Sequence, residues 1–548
     1  MKSGFKKCLI AAVGLSVLVL TACSSGNDTG ETISKIHWFS DVSGWGPGAW
    51  NTNTAPSLNY YQEKLGIDFD IEQPPVDAAT KLGLMIAQDD LPDVMSITDA
   101  DTIKQLIEAD KVWNLEEFLE TYDEESHLLQ NFPNDVKEVI TERDGGWFAI
   151  PSHMESPDNR EIFPPSDQIW VDVAQVGKNH AIIINTEIME QVGITEEELQ
   201  SEESFYQALQ KVKDAEMKVD DKDVIPLLLH GDLWMDSSLD SILQWNFGAV
   251  PVDENGDYRH VELSPGYKNA MKFINNTIQN GYLDVNSMTI DETALKTYVA
   301  ENRVFCLIGN QANFNKDNLP LTSFGPIFPA NGAKPVLPKT LSAGSGWIQT
   351  FVSKDAKDPE KIAKFLSWST EKDGLMKLYY GEENDYEVDT NGIVRRNDDA
   401  IKTLSEDYNN NILLWPFANT SFERHTQPIP DPGSDVAIAN DLMTAFGKND
   451  DVQSYDDALL SFRNATIIEP SSDLGIKERQ IKNYLESQKG KIVTAKDDAT
   501  FEKEYQNMID TLNSYDVDRI DEEYNIIYQE MIKKVGSKIE DVNAHLYN

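Results

Sequence analysis

Residues 91–109 read LPDVMSITDADTIKQLIEA. Leu91-Pro92 punctuates the chain and Asp93–Ile97 is a short apolar run of strand length. Asp101–Ala109 then repeats apolar residues at helical spacing from an acidic start, which suits the positive end of a helix dipole. A strand that hands over directly to a helix is the repeating half of a parallel, βαβ-type sheet. The pattern extends outward. Upstream lie a strand at Ile33–Phe39, a helix at Ala55–Leu65 ended by Gly66, a strand at Ile67–Glu72 and a helix at Lys81–Gln88. Downstream, Ala181–Ile184, Val224–Leu229, Phe305–Ile308 and Trp347–Val352 read as strands. Thr186–Val192, Ser204–Lys213, Tyr267–Asn280 (ended by Gly281) and Lys361–Ser369 read as helices, and Phe501–Val535 is mostly helical. The expected fold class is α/β: two blocks, a late strand returning to the first sheet, and a helical C-terminal region.

The chain opens with Lys2, Lys6 and Lys7, an apolar run from Cys8 to Leu20, and Leu20-Thr21-Ala22-Cys23. A positive start, a short apolar stretch and small residues at the cut describe a secretory signal, and the run is shorter than the roughly 20 residues a spanning helix needs. Leu20–Cys23 resembles the bacterial lipobox, whose cysteine is acylated and becomes the first residue. Residues 1–22 are therefore expected to leave, Cys23 to carry the lipid, and residues 23–30 to form a flexible polar tether. The expected location is the extracytoplasmic face of the cell membrane.

Lys and Arg number 47 against 93 Asp and Glu, a net charge of −46, and loss of the three lysines in residues 1–22 takes the exported chain to −49. That field repels nucleic acid and anionic headgroups, so nucleic acid is excluded as a partner and the lipid anchor is the expected membrane contact. It also disfavours a polyanionic sugar unless a local basic patch exists, and no dense Lys/Arg cluster occurs mid-chain. A length of 548 residues suggests two or more domains, and 40% hydrophobic content supplies their cores. With Cys8 removed and Cys23 lipidated, Cys306 is the one thiol left, and no disulfide is possible within the mature chain. Its apolar setting, Val304–Ile308, marks it as a packing residue.

Six weak motifs then occur in order over nearly the full length. They are Leu91-Pro92-Asp93-Val94; Gly145–Pro151 (GGWFAIP); Ile184–Met189 with Val192-Gly193-Ile194; Ala270–Asp284, ending Gly281-Tyr282-Leu283-Asp284; Asp358-Pro359-Glu360-Lys361 with Gly374; and Gly381–Tyr386. Together they resemble the LplA-like branch of the family 1 extracellular solute-binding proteins, lipoproteins of ABC sugar importers. The resemblance implies a two-lobe type II periplasmic-binding-protein fold with an interlobe ligand cleft. It places lobe 1 at residues 31–150 and 324–370, lobe 2 at 151–323 and 371–500, and a C-terminal helical segment at 501–548. It further implies a carbohydrate ligand, permease subunits with a separate ATPase as partners, and a monomer.

Some relatives carry an Asp/Asn-rich calcium loop. Here Asp214–Pro226 holds Asp220, Asp221 and Asp223 without the D-x-D-x-D-G order or a turn glycine, so no metal is expected. Asp253-Glu254-Asn255-Gly256-Asp257 and Asp389-Thr390-Asn391-Gly392 read as hairpin turns rather than ion sites.

A closing binder contacts its ligand through loops after its strands. Sugars present apolar faces to aromatic rings and hydroxyl rims to carboxylates and amides. On that logic the candidates are Asp41, Trp45 and Trp50 after the first strand, Asp99 after the third, and Trp234 and Asp236 after Val224–Leu229. Asn310 and Asn313 after Phe305–Ile308, and Trp347 beside the returning strand, complete the set. Trp113, Trp245 and Trp368 read as core. No G-x-S-x-G, H-E-x-x-H or Walker-type loop occurs, the eight histidines are scattered, and acidic pairs abound by chance. No catalytic residue and no cofactor is assigned. The expected protein is a binder rather than an enzyme; the alternative is a surface lipoprotein polysaccharide lyase or glycosidase.

Overall fold

The computed structural model describes residues 33–42, 59–74, 78–229, 238–290, 292–344, 346–406 and 415–547. Two sheets organise them. The first contains β1 (Ser34–Ser40), β2 (Ile67–Glu72), β3 (Val94–Ile97), β4 (Ile150–Pro151) and the returning strand β9 (Gln349–Val352), in the order β2-β1-β3-β9-β4. The second contains β5 (His180–Asn185), β6 (Ile225–Leu229), β7 (Val304–Asn310) and β8 (Leu321–Thr322), in the order β8-β5-β7-β6.

Both sheets are covered on both faces. Along β1, Ile36 and Trp38 join one apolar cluster while Phe39 joins another; along β5, Ile182 and Ile184 face one cluster and Ala181 and Ile183 the other. Burial on two faces explains why β3 and β7 are apolar runs without alternation, with every residue of each buried. The buried polar atoms of the first sheet pair across it: Trp38 Nε1 donates to Ser96 Oγ at 2.9 Å, and Ser96 Oγ lies 2.9 Å from Thr350 Oγ1.

Strand direction departs from the all-parallel expectation. β1 is parallel to β2 and β3, and β6 to β7, but β9 is antiparallel to β3 and β4, and β5 is antiparallel to β7. The reason is the route of entry. β5 and β9 are each entered from the other sheet, β5 after helix Gln168–Val176, and each begins at the edge where its neighbour ends, with His180 opposite Asn310 and Gln349 opposite Ile97. The returning strand starts at Gln349, so Trp347 sits in the bend before it rather than within it.

The C-terminal helices Asp473–Val493, Asp498–Ser514 and Val517–Val535 complete the core of the second sheet through Ile481, Leu485, Phe501, Met508, Leu512 and Ile520. Beneath them Lys489, 7% exposed, lies 2.9 Å from Asp240 and 3.3 Å from Glu262. Cys306 is fully buried in this core, and burial pushes its thiol well above the usual range. The acidic stretches are turns. Asp220 and Asp221 both have positive φ in a two-residue hairpin between Lys218–Val219 and Lys222–Asp223. Asp253 accepts from the backbone of Asn255 and Asp257, and Asp389 from that of Asn391 and Ile393.

Candidate functional site

β1, β3 and β4 end at one edge of the first sheet and β9 begins there. Asp41 follows β1. Its Oδ2 accepts from Thr98 N at 2.7 Å, Thr98 Oγ1 at 3.0 Å and Asp99 N at 3.2 Å, whereas Oδ1 is buried without a partner among the described residues. Burial pushes the Asp41 carboxyl above its usual range, against the opposing pull of those hydrogen bonds. Asp99 is the N-cap of helix Ala100–Glu108, its Oδ1 accepting from Thr102 N at 2.8 Å and Thr102 Oγ1 at 2.6 Å. Gln73, just past β2, donates from Nε2 to Val42 O at 2.9 Å, and its Oε1 is a second buried acceptor without a partner.

The two crossovers meet beside these groups. Ser152 N donates to Ile348 O at 2.9 Å, and Trp347 Nε1 donates to His153 Nδ1 at 2.8 Å. Trp347 is 44% exposed. His153 has φ 52°, a left-handed conformation that a non-glycine residue adopts at some cost. Burial lowers its pKa from 6.5 to about 4, so the ring is neutral near pH 7. Because an indole N–H only donates, Nδ1 is the acceptor and the ring proton resides on Nε2.

The second sheet presents a matching edge, where β7 ends and β5 begins, with His180 opposite Asn310. Asn310 Oδ1 accepts from Ala312 N at 2.9 Å, capping the turn Gln311–Asn313 in which Asn313 lies half-buried. Gln311, 4% exposed, has a buried Oε1 without a partner among the described residues. Lys316, 2% exposed, secures this loop from below, its Nζ donating to Gln311 O and Phe314 O, both at 2.8 Å, and pairing with Asp435 at 3.2 Å. One segment ties the edges together: Lys178 pairs with Asp457 at 3.0 Å, and Thr466 Oγ1 donates to Asp101 at 2.6 Å.

Of the candidates read from the sequence, Asp41, Asp99 and Trp347 gather at the first edge and Asn310 and Asn313 at the second. Trp45, Trp50, Trp234, Asp236 and the lipidation candidate Cys23 lie outside the described residues. Trp368 stacks on Tyr60 at 3.9 Å, Trp113 packs against the same cluster, and Trp245 packs against the second core, its ring 6.4 Å from His180. Sequence reasoning passed over Gln73, His153 and Gln311. The rule of searching loops after strands reaches Gln73 and Gln311 once amides of both lengths are admitted; His153 is singled out by its backbone and its contact with Trp347, which no local pattern announces. Among the described residues no group of three or more His, Cys, Asp or Glu is placed to hold a metal ion, and no helix is long and apolar enough to cross a membrane.

Solved structures share this architecture. The FusA substrate-binding protein of an S. pneumoniae ABC transporter, in complex with kestose, superposes with a TM-score of 0.61 at 13% identity, covering 91% of this chain and 100% of that one. An HMO-binding, ABC-transporter-associated solute-binding protein from Bifidobacterium longum infantis gives 0.62 at 14% identity, covering 91% and 99%. The N-glycan transport solute-binding protein NgtS of Streptococcus pneumoniae, in complex with Man1GlcNAc, gives 0.55 at 15% identity, covering 91% and 99%. At such identities the likeness establishes the fold, that of the two-lobe solute-binding proteins. No curated protein sequence matches the chain. The sequence profile of the bacterial extracellular solute-binding proteins matches residues 49–376, well over half of the chain, and with that match the chain belongs to the family of bacterial extracellular solute-binding proteins.

Proposed function

We propose that this protein captures an oligosaccharide between its two lobes and delivers it to the permease of an ABC importer, whose separate ATPase supplies the energy. The observation that carries this reading is the set of buried acceptors on both sheet edges that have no partner among the described residues: Asp41 Oδ1 and Gln73 Oε1 on the first, Gln311 Oε1 on the second. Sugar hydroxyls are donors, and only a ligand touching both edges answers both sets. Such a ligand stabilises the closed arrangement, so closure is a population shift driven by the bridging contacts. The fold relatives described with kestose, HMO and Man1GlcNAc support carbohydrate as the ligand class. In this reading the mature monomer begins at Cys23 and meets the membrane through its lipid alone. The assigned groups bind rather than react.

Calorimetry against a panel of neutral and acidic oligosaccharides tests the reading. At least one glycan is expected to bind and to be recovered intact, and Asp41→Asn is expected to weaken it about tenfold, roughly the 1.4 kcal/mol of a lost charge-assisted hydrogen bond. Release of cleavage products, or no binding across the panel, refutes it. For the anchor, Cys23→Ser is expected to abolish lipid labelling and move the protein out of the membrane fraction; unchanged mass and fractionation refute the lipobox reading.

A further inference from the structure

A cavity of about 590 Å³ lies beside the crossovers, with His153 in its wall. One side comes from Trp170 of helix Gln168–Val176 and from Val436 of helix Asp435–Ala445, which packs on β5; the other comes from Tyr379, Tyr380, Arg396 and Glu423. Two buried N–H groups of this wall, Trp170 Nε1 and Arg396 Nε, have no acceptor among the described residues, although Trp170 is only 3% exposed. Buried donors are normally paired, so each calls for an acceptor beyond those the described residues supply.

The charges narrow the choice. Arg396 donates from Nη2 to Tyr379 O and lies over the Tyr380 ring at 5.0 Å, and among the described residues no carboxylate is within ion-pairing reach of it. Its neighbour Arg424, by contrast, pairs with Glu155. Glu423 also faces the cavity; burial pushes its carboxyl above the usual range against the pull of Arg424 and Arg396, and it acts on Arg396 from beyond ion-pairing distance. Arg395 adds a second guanidinium to the wall and Asp431 an exposed carboxylate. In a chain of net charge −46, this wall sets two guanidiniums beside two carboxylates, and among the described residues Arg396 forms no ion pair. Beside it Ile401, 54% exposed, and Val436, 42% exposed, offer apolar surface. Unpaired N–H donors, an unpaired guanidinium and an apolar face match a sugar ring that carries a carboxylate.

We propose that this cavity is a subsite for a uronate residue of the bound oligosaccharide. Arg396 and the Trp170 N–H receive the carboxylate, and Ile401 and Val436 meet the ring face. The inference rests on the oligosaccharide reading and extends it from neutral to acidic glycans.

Calorimetry on the full mature chain tests it with trimers of galacturonate and mannuronate and with glucuronate-capped xylotriose, each beside its methyl ester, which keeps the shape and removes the charge. At least one acid is expected to bind tenfold or more tightly than its ester. Arg396→Gln is expected to erase that difference, and Trp170→Phe, which keeps a ring but loses the N–H, to reduce it severalfold with the melting temperature held. Should Arg396→Gln fail to fold, Trp170→Phe decides alone. Equal affinity for every acid and its ester, or an acid preference that survives the substitutions, overturns the subsite. If neutral glycans still bind in that case, the oligosaccharide reading stands; if no glycan binds, neutral or acidic, both fall.

Discussion

The His153–Trp347 contact joins the two crossovers, and its protonation gives a quantitative test. The imidazole titrates at about 4 in the folded chain because burial disfavours its charged form, against 6.5 when unfolded. Between those values the unfolded chain binds the extra proton, so stability rises with pH through this window and is unaffected by this group above it. The full difference is about 3 kcal/mol at 1.36 kcal/mol per unit. Between pH 7.5 and pH 5 the loss is about 2 kcal/mol. His153→Asn removes the titration while respecting the site: asparagine tolerates the left-handed φ of 52°, and its Oδ1 accepts from Trp347 Nε1. Urea unfolding of both proteins from pH 7.5 to 5 is expected to show wild type losing about 2 kcal/mol relative to the variant. Parallel pH profiles would refute the buried neutral imidazole, and a profile in which wild type gains on acidification would reverse its sign.

Two further substitutions test the frame around the site. Lys489→Met removes the ammonium that the partly buried Asp240 and Glu262 share and is expected to cost about 3 kcal/mol in urea unfolding; an unchanged midpoint would show the cluster to be solvated. Gly346 has φ 70°, and a Cβ there meets Ser152 O at 2.6 Å and Pro151 Cβ at 2.7 Å. Gly346→Ala is therefore expected to lower stability by at least about 1 kcal/mol and to weaken ligand binding through the displaced crossover, and calorimetry with wild-type affinity and stability counts against that packing.

Much of the fold was legible because its signals are local. Thr186–Val192 forms with the bounds read from its periodicity, the strand read at Asp93–Ile97 begins one residue later at Val94, and Gly66, Gly193 and Gly281 end their segments in the left-handed conformation that favours glycine. Asp253–Asp257 and Asp389–Gly392 are turns because an Asp side chain and a glycine three residues on suffice to make one. Asp41 and Asp99 could be placed near one another since loops after parallel strands share an edge; Trp347 joins them only because its strand runs the other way and starts there. Their particular bonds could not: Asp99 caps its own helix, and Asp41 turns one oxygen to Thr98 and leaves the other free.

The sequence by itself determined the strand-and-helix order, the two-block α/β class, the resemblance to solute-binding proteins and the loops in which a ligand would be sought. Each rests on residues within a turn or two of one another. Only the tertiary structure decided the direction of β5 and β9, which depends on the side from which the chain re-enters a sheet. It also decided the pairing of His153 with Trp347 across 194 residues, and the meeting of Trp170 and Arg396 in one cavity. Such contacts are a choice among many partners of similar chemistry, and that choice is made by packing the whole chain at once rather than by any segment's own preference.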